Sequence, residues 1–577
     1  MRLTPSARLP VRSIVASRGR FLGLSFQLLL ALLVFPSFVQ GLTPVAARHA
    51  MVVASEPLAA EAGLEILRAG GNAVDAAVAV GFALAVTHPA AGNIGGGGFM
   101  LIRRADGETV VVDYREQAPA AASRNMFLDA SGELISEAST VGPLAAGVPG
   151  TVAGLALAHQ RYGKLKWSRV LKPAIRLAKK GFPVSYALSE SLRDDREHLS
   201  KFAETRRIFL RNGRGYEPGE IFRQPELART LERIARRGPE DFYRGRIAKA
   251  IAATMEKHHG LIGMEDLEQY EAKIRQTLRG SFRGYEILTV PPPSSGGVGL
   301  IEMLNVLEPL DLESPESFHD VRLIAETMRR AYADRAAYLG DADQVSVPVT
   351  GLTSREYAAR LREEILHARA AAPVRPGDPV AYESSQTTHF SVIDAQGNAV
   401  ANTYTLNGGY GCGVTVEGAG FLLNNEMDDF ASKPGAPNMF GLVQGEANAI
   451  APRKRPLSSM TPTVVVKGRK VKLILGSPGG GTIINTVLQV VLNVLVYGMD
   501  VRRAVVAPRF HHQWMPDRLV LERWGFSADT IGKLREAGFQ VDVRNSMGIC
   551  EAIEVDPETG WRFGAADPRG DGKAVGD

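Results

Sequence analysis

The sequence predicts an α+β fold, on three observations. Helical patterns recur ahead of residue 387, most densely from Val152 to about Arg275. Beyond residue 387 the pattern changes to short alternating strands with tight turns. A glycine-rich turn, Gly476-Ser477-Pro478-Gly479-Gly480-Gly481, then leads from a strand into an apolar helix from about Thr482 to Tyr497.

The 577 residues are 45% hydrophobic and 22% charged, an ordinary globular composition with enough apolar mass for one large core or two. The formal charge of +5 comes from the front of the chain, where residues 1–40 hold five arginines and no acid or lysine. The remainder is near neutral, which removes the electrostatic argument for a nucleic-acid partner. The same stretch has a basic start, an apolar run from Phe21 to Phe38 and small residues nearby, the pattern of a cleaved secretory signal. Gln27 and Pro36 break the run, so a cleaved signal is preferred to a membrane anchor. Gln40/Gly41 and Ala47/Arg48 are the candidate cut points, and the expected location is secreted or periplasmic.

Taken in order, a helix is expected over Pro57–Arg68, with Pro at its start and Gly70-Gly71 at its end. A second runs over Ala73–Val86. The loop Gly92 to Gly98 follows, with four consecutive glycines. No Lys-Ser/Thr follows, so it is no P-loop, and close packing against a site or a buried strand is the better reading. Strands are expected at Phe99–Arg103, Val110–Tyr114 and Tyr285–Val290, and helices at Gly299–Leu307 and Phe318–Leu339. A loop-like run, Ala371 to Ser385, leads to Gln386-Thr387-Thr388-His389. Strands Thr388–Asp394 and Ala399–Leu406 form a hairpin around Gln396-Gly397, and a second hairpin pairs Thr463–Val466 with Val471–Leu475.

Threonine is a poor nucleophile inside a chain. Cut ahead of Thr387, its own α-amine is freed, with a pKa of roughly 7.7–8.0, and can serve as base for its hydroxyl. The hairpin register sets Thr405 opposite Thr387 or one residue away. The turn at Gly479-Gly480 points free N–H groups at one spot, an anion site or an oxyanion hole. His389, His511 and His512 lack metal-ligand spacing, because adjacent histidines on a strand face opposite ways, and they are expected to be structural. No metal or other cofactor is expected. Cys412 reads as a small filler, or as a disulfide partner of Cys550.

These segments together resemble the gamma-glutamyltransferase (glutathione hydrolase) family of N-terminal-nucleophile hydrolases. The carrying motifs are Glu383 to Ser391, Asn402 to Asn407, Leu422 to Asp429, Arg455 to Met460, Gly476 to Gly480 and Arg509 to Gln513, with Asp113 to Glu116 and Pro291 to Gly297 earlier. The resemblance implies a four-layer αββα sandwich. It implies a precursor cut between Gln386 and Thr387 into a large subunit (41–386) and a small catalytic one (387–577). By the same resemblance Thr387 is the nucleophile, Thr405 its hydrogen-bond partner, and the N–H groups of Gly479 and Gly480 the oxyanion hole. Arg115, Ser458 and Ser459 would take the substrate's α-carboxylate; Asn407, Glu426 and Asp429 its α-ammonium. The implied reaction moves a γ-glutamyl group from glutathione or a related donor to water or to an amino acid or peptide. Pro434 to Asn448 resembles the family's lid, with Phe440 where some members have Tyr. The alternatives are an acylase of the same superfamily that cleaves glutaryl groups, and an uncleaved secreted binding protein.

Overall fold

A computed structural model describes residues 43–368, 370–378 and 388–577, of Thr388 the backbone alone. The expected signal (1–40) and the Gln386–Thr387 bond lie outside the described residues.

In chain order the strands are β1 (Val45–Ala47), β2 (Met51–Ala54), β3 (Gly97–Arg103), β4 (Thr109–Asp113), β5 (Phe182–Pro183), β6 (Ile221–Phe222), β7 (Lys273–Gln276), β8 (Leu278–Phe282) and β9 (Tyr285–Thr289). After the described gap come β10 (Thr388–Ile393), β11 (Ala399–Thr405), β12 (Thr463–Lys467), β13 (Lys470–Leu475), β14 (Phe510–His511), β15 (Leu519–Glu522), β16 (Val541–Arg544), β17 (Glu551–Val555), β18 (Arg562–Ala566) and β19 (Lys573–Gly576). Two seven-stranded sheets dominate, in the orders β19-β2-β10-β11-β3-β4-β7 and β1-β18-β17-β13-β12-β9-β8. Every pairing in both is antiparallel.

The period-two alternation of the strands builds the layers. Phe99, Leu101, Ala399 and Ala401 point from the first sheet onto Val464, Val466, Ile474 and Leu288 of the second, and form the core between the sheets. Their neighbours Met100, Ile102, Val400 and Tyr404 point the other way, onto helices that include Pro57–Arg68, Ala73–Thr87 and Thr151–Tyr162. On the far side Val465, Leu473 and Leu475 pack against helices Gly296–Leu307, Phe318–Tyr338 and Thr482–Leu495. The result is a four-layer αββα sandwich. Strands buried on both faces leave no room for a void, so truncating Leu101 to Ala is expected to cost about 2–5 kcal/mol.

The first two helices start and stop as expected. Glu56 accepts hydrogen bonds from the free N–H groups of Leu58 and Ala59, and Asn72 with Asp75 forms a capping box. Helices do dominate from Thr151 to Gln269, but the expectation runs too far: Lys273–Gln276 is a strand. It is an edge strand studded with basic residues, whose Arg275 reaches Asp113 and Asp343, and such charge reads as a solvated helix face. Strand β1 is paired with β18, so a signal cut after Ala47 would remove a sheet edge; the earlier cut point keeps it. Cys412 and Cys550 are buried and unbridged, in the outer cores of opposite sheets, which rules out their pairing. No helix among the described residues is long and apolar enough to cross a membrane.

Candidate active site

The hairpin of β10 and β11 pairs Thr388 with Tyr404, and Thr405 is the last residue of β11. Its tight turn is held by Asp394, whose carboxylate accepts from the N–H groups of Gln396 and Asn398, with Gly397 at φ +89°. Thr405 is buried, and its Oγ1 accepts the N–H of Asn407 at 2.7 Å. Asn407 turns the chain at φ +74° and donates from Nδ2 to the carbonyl of Asn425 at 3.1 Å. The end of β11 is thereby tied to the acidic turn at Glu426–Asp429.

The glycine loop explains how these pieces come so close. A Cβ on Gly95 would sit 2.1 Å from the carbonyl oxygen of Leu422, and one on Gly96 1.9 Å from that of Thr405. The loop is therefore a spacer-free floor under the site, consistent with packing and not with a phosphate cradle.

Arg115 extends from the end of β4 into this region and is fully buried. Its Nε donates to the carbonyl of Pro456 at 2.9 Å, and Nη2 donates to that of Leu457 at 2.9 Å. Nη1 donates to Glu426 and, at 3.3 Å, to Glu116; Nη2 also donates to Asp429. One guanidinium thus faces three carboxyl groups, all buried. Burial pushes the Glu426 carboxyl well above its usual range, against the pull of Arg115. It pushes Glu116 up to about 8. Among the described residues Glu426 Oε1, Glu116 Oε1, Asn407 Oδ1 and Ser459 Oγ are buried without a hydrogen-bond partner. Unsatisfied buried polar atoms are rare, and several in one place mark a site for a polar ligand.

Ser458 and Ser459 reach the cluster through Pro456 and Leu457. The stretch is fixed from below by Pro291 to Gly296. Ser458 N–H donates to Pro293 O at 2.9 Å, and Ser294 Oγ donates to the carbonyls of Ser458 and Met460. A Cβ on Gly296 would meet Thr461 Oγ1 at 2.2 Å. Two motifs more than 160 residues apart in sequence thus form one seat.

Gly479 and Gly480 have φ of +129° and +61° and open the helix Thr482–Leu495. Their carbonyls accept from Thr482 and Ile483 and so close the first turn of that helix. Tyr332 Oη donates to the carbonyl of Gly481 and holds the turn from behind. Gly476 abuts the ring of His389, where a Cβ would lie 2.4 Å from Nδ1, so the turn starts against β10. The structure therefore gathers Arg115, Asn407, Glu426, Asp429, Ser458 and Ser459 around one seat, with Thr405 tied to it through Asn407. It sets the glycine turn against the strand that begins at Thr388. Thr387 and Gln386 lie outside the described residues.

His389 is buried between Thr403 Oγ1 at 2.8 Å and Ser391 Oγ at 3.0 Å, and burial lowers its pKa to about 3. His511 contacts Asn485 and Gln513, whereas His512 contacts Asp517. Burial pushes the Cys412 thiol up to about 12, far from a reactive thiolate. The segment from Pro434 is stitched by Gly435 N–H to Gln444 O at 2.9 Å and by Gln513 Nε2 to Phe440 O at 3.3 Å. Sequence reasoning missed two contributors. Glu116 beside Arg115 reads as a local ion pair, and Tyr332 sits mid-helix with no motif to mark it.

Residues 59–577 match the family model described as gamma-glutamyltranspeptidase. The chain belongs to the gamma-glutamyltranspeptidase family. This transpeptidase-family chain is 49% identical over 531 residues to a glutathione hydrolase proenzyme of Escherichia coli, covering 91% of each. It is 39% identical to one of Bacillus subtilis, covering 92% of each. Among solved structures it is similar to a cephalosporin acylase from Bacillus halodurans, with a TM-score of 0.84 at 29% identity over 92% of this chain and 97% of that one. It is also similar to Helicobacter pylori gamma-glutamyltranspeptidase, with a TM-score of 0.54 at 45% identity over 57% of this chain and 94% of that one. The transpeptidase-family chain is an enzyme with the αββα sandwich of N-terminal-nucleophile hydrolases.

Proposed function

We propose that this family member is a self-cleaving glutathione hydrolase and gamma-glutamyltransferase. In the precursor, the Thr387 hydroxyl attacks the carbonyl carbon of Gln386. The C–N bond breaks, a C–O ester forms, and the nitrogen takes the proton to become the Thr387 amine. Water then cleaves the ester, leaving a Gln386 carboxylate and a free Thr387 hydroxyl. In the mature enzyme the amine takes the hydroxyl proton as the oxygen attacks the γ-carbonyl of a γ-glutamyl amide. The N–H groups of Gly479 and Gly480 stabilise the oxyanion. The leaving amine departs protonated, and water or an acceptor amine releases the glutamyl group from its ester.

The observation that carries the substrate reading is the buried cluster of one guanidinium among three carboxyl groups. A free amino-acid head group brings the positive charge that this acid-rich cluster lacks. Its carboxylate suits Arg115, Ser458 and Ser459, and its ammonium suits Glu426, Asp429 and Asn407. The hairpin register supports the nucleophile: Thr388 pairs with Tyr404, and Thr405 is the next residue of β11.

The likeness to a cephalosporin acylase favours a second reading, a glutaryl acylase. A glutaryl group has no ammonium and would leave the excess carboxylates buried without a cation. The rival readings are separated by two measurements. Release of a chromogenic anilide from γ-glutamyl but not glutaryl substrate is expected; the reverse preference would replace the first reading by the second. Denaturing electrophoresis of the secreted protein should show two fragments, and a single full-length band would favour the uncleaved binding protein. N-terminal sequencing of the smaller fragment is expected to begin at Thr387.

A further inference from the structure

Ala371 to Asp378 crosses the surface of the helix Phe318–Tyr338 and ends nine residues before Thr387. It has no regular structure of its own, yet its backbone is held at five points, one of them an exposed bond from Arg360 Nη2 to Asp378 O at 3.3 Å. Glu326 Oε1 accepts the N–H of Ala371 at 2.7 Å. Trp514 Nε1 donates to Val374 O at 2.9 Å. Asp334 Oδ1 accepts the N–H of Gly377 at 2.5 Å, and Tyr338 Oη donates to Gly377 O at 2.5 Å. Three of the five holders, Glu326, Asp334 and Tyr338, stand on one helix at spacings of eight and four, which places them along one face.

The holders are themselves fixed. Asp334 is buried, accepts from Tyr357 Oη, and lies against Glu302 of the neighbouring helix, whose carboxyl burial pushes well above its usual range. Gly377 fits only because it has no side chain: a Cβ there would lie 2.0 Å from Tyr357 Oη. A loop that merely connected two elements would not need buried carboxylates directed at its backbone N–H groups.

We propose that this face of the helix Phe318–Tyr338 is a docking rail for the segment ahead of the scissile bond, and that Asp334, Tyr338 and Gly377 are positioning residues for self-cleavage. The proposal rests on cleavage at Gln386–Thr387. By fixing Gly377, the rail limits where the following residues can run and so raises the fraction of time the Gln386 carbonyl spends at the attacking hydroxyl. After the cut, the same anchors hold the end of the large fragment and have no role in turnover.

The test follows conversion of purified full-length precursor to two fragments on denaturing gels, with activity measured per cleaved chain. Gly377→Ala is expected to slow conversion at least 10-fold, while kcat and KM of the chains that do mature stay within 2-fold. Adding Tyr357→Phe removes the clashing hydroxyl and is expected to restore most of the rate; Tyr357→Phe alone is the control. Tyr338→Phe, a milder change, is expected to slow conversion severalfold. Conversion of both Gly377→Ala and Tyr338→Phe at the parent rate would overturn the rail. If Gly377→Ala fails to fold, shown by a lost melting transition, Tyr338→Phe alone decides. If the parent never converts, it is the cleavage reading that fails.

Discussion

Two buried arginine clusters in this molecule look alike and differ in their charge balance. Arg509 and Arg569 share Asp567 and Glu522, two guanidinium groups against two carboxylates. Arg509 donates to Asp567 at 2.6 Å and to the carbonyls of Met547 and Val505, and Arg569 Nε donates to Glu522 at 2.7 Å. Burial raises the Asp567 carboxyl, but Arg509 and Arg569 outweigh it and hold the group below its usual range. Around Arg115 the count is one against three, Glu426 and Glu116 are pushed up, and carboxyl oxygens are left without partners. A balanced cluster is a clasp. An acid-rich one is costly to keep and becomes balanced only when a cation arrives, which is what a substrate ammonium supplies.

The largest effect is expected outside either cluster. Thr387→Ala should give an uncut chain with no measurable hydrolysis of a γ-glutamyl anilide, and cleavage or activity that persisted would move the nucleophile elsewhere. Next come the clusters themselves. Arg509→Ala should cost about 3–5 kcal/mol in denaturant unfolding, because it takes one of its two guanidinium partners from the buried Asp567 carboxylate. Asp429→Asn should leave the unfolding midpoint nearly unchanged, since it relieves acid crowding, yet raise KM for the γ-glutamyl donor about 100-fold or more, the equivalent of roughly 3 kcal/mol of lost ion pairing. If Asp429→Asn unfolded the protein as Arg509→Ala does, the contrast between clasp and receptor would be lost.

Local features were legible in the sequence and convergence was not. The hairpin register followed from Gly397 and an alternating pattern, and the structure pairs Thr388 with Tyr404 as that turn dictates. Helix boundaries at Pro57 and Arg68 followed from capping chemistry. Arg115 lies 311 and 314 residues from its partners Glu426 and Asp429, so nothing local could pair them, and only the family resemblance put them in one site. The edge strand Lys273–Gln276 was missed because its alternating basic residues, half-buried in the fold, suit a helix face as well. The last three strands, β17 to β19, went unassigned for a related reason: each is short, and β19 is half exposed.

A sharper probe of the acid-rich cluster is its proton. Burial holds the Glu426 carboxyl well above its usual range, and an arriving ammonium, which favours the ionised form, should lower it and release a proton. Calorimetric binding of glutamate in buffers of different ionisation enthalpy is expected to show release of up to about one proton. Glutarate, without an ammonium, should release none. Equal release by both ligands would mean that the carboxylate, not the ammonium, drives the change, and would reverse the assignment of Glu426.

The smallest effect concerns His389, which marks where the glycine turn meets β10. Its pKa is lowered to about 3 by burial, whereas the unfolded chain titrates near 6.5. Between those values the unfolded state binds a proton that the folded state refuses, so this residue's contribution to stability is full above pH 6.5 and declines as the pH falls. The limiting slope is about 1.4 kcal/mol per pH unit. Comparing parent and His389→Asn by denaturant unfolding from pH 7 to pH 4, the gap in stability should narrow toward acid pH. A gap that widened instead would mean that His389 is charged in the fold, and a charged ring at Gly476 would then act on the oxyanion turn directly.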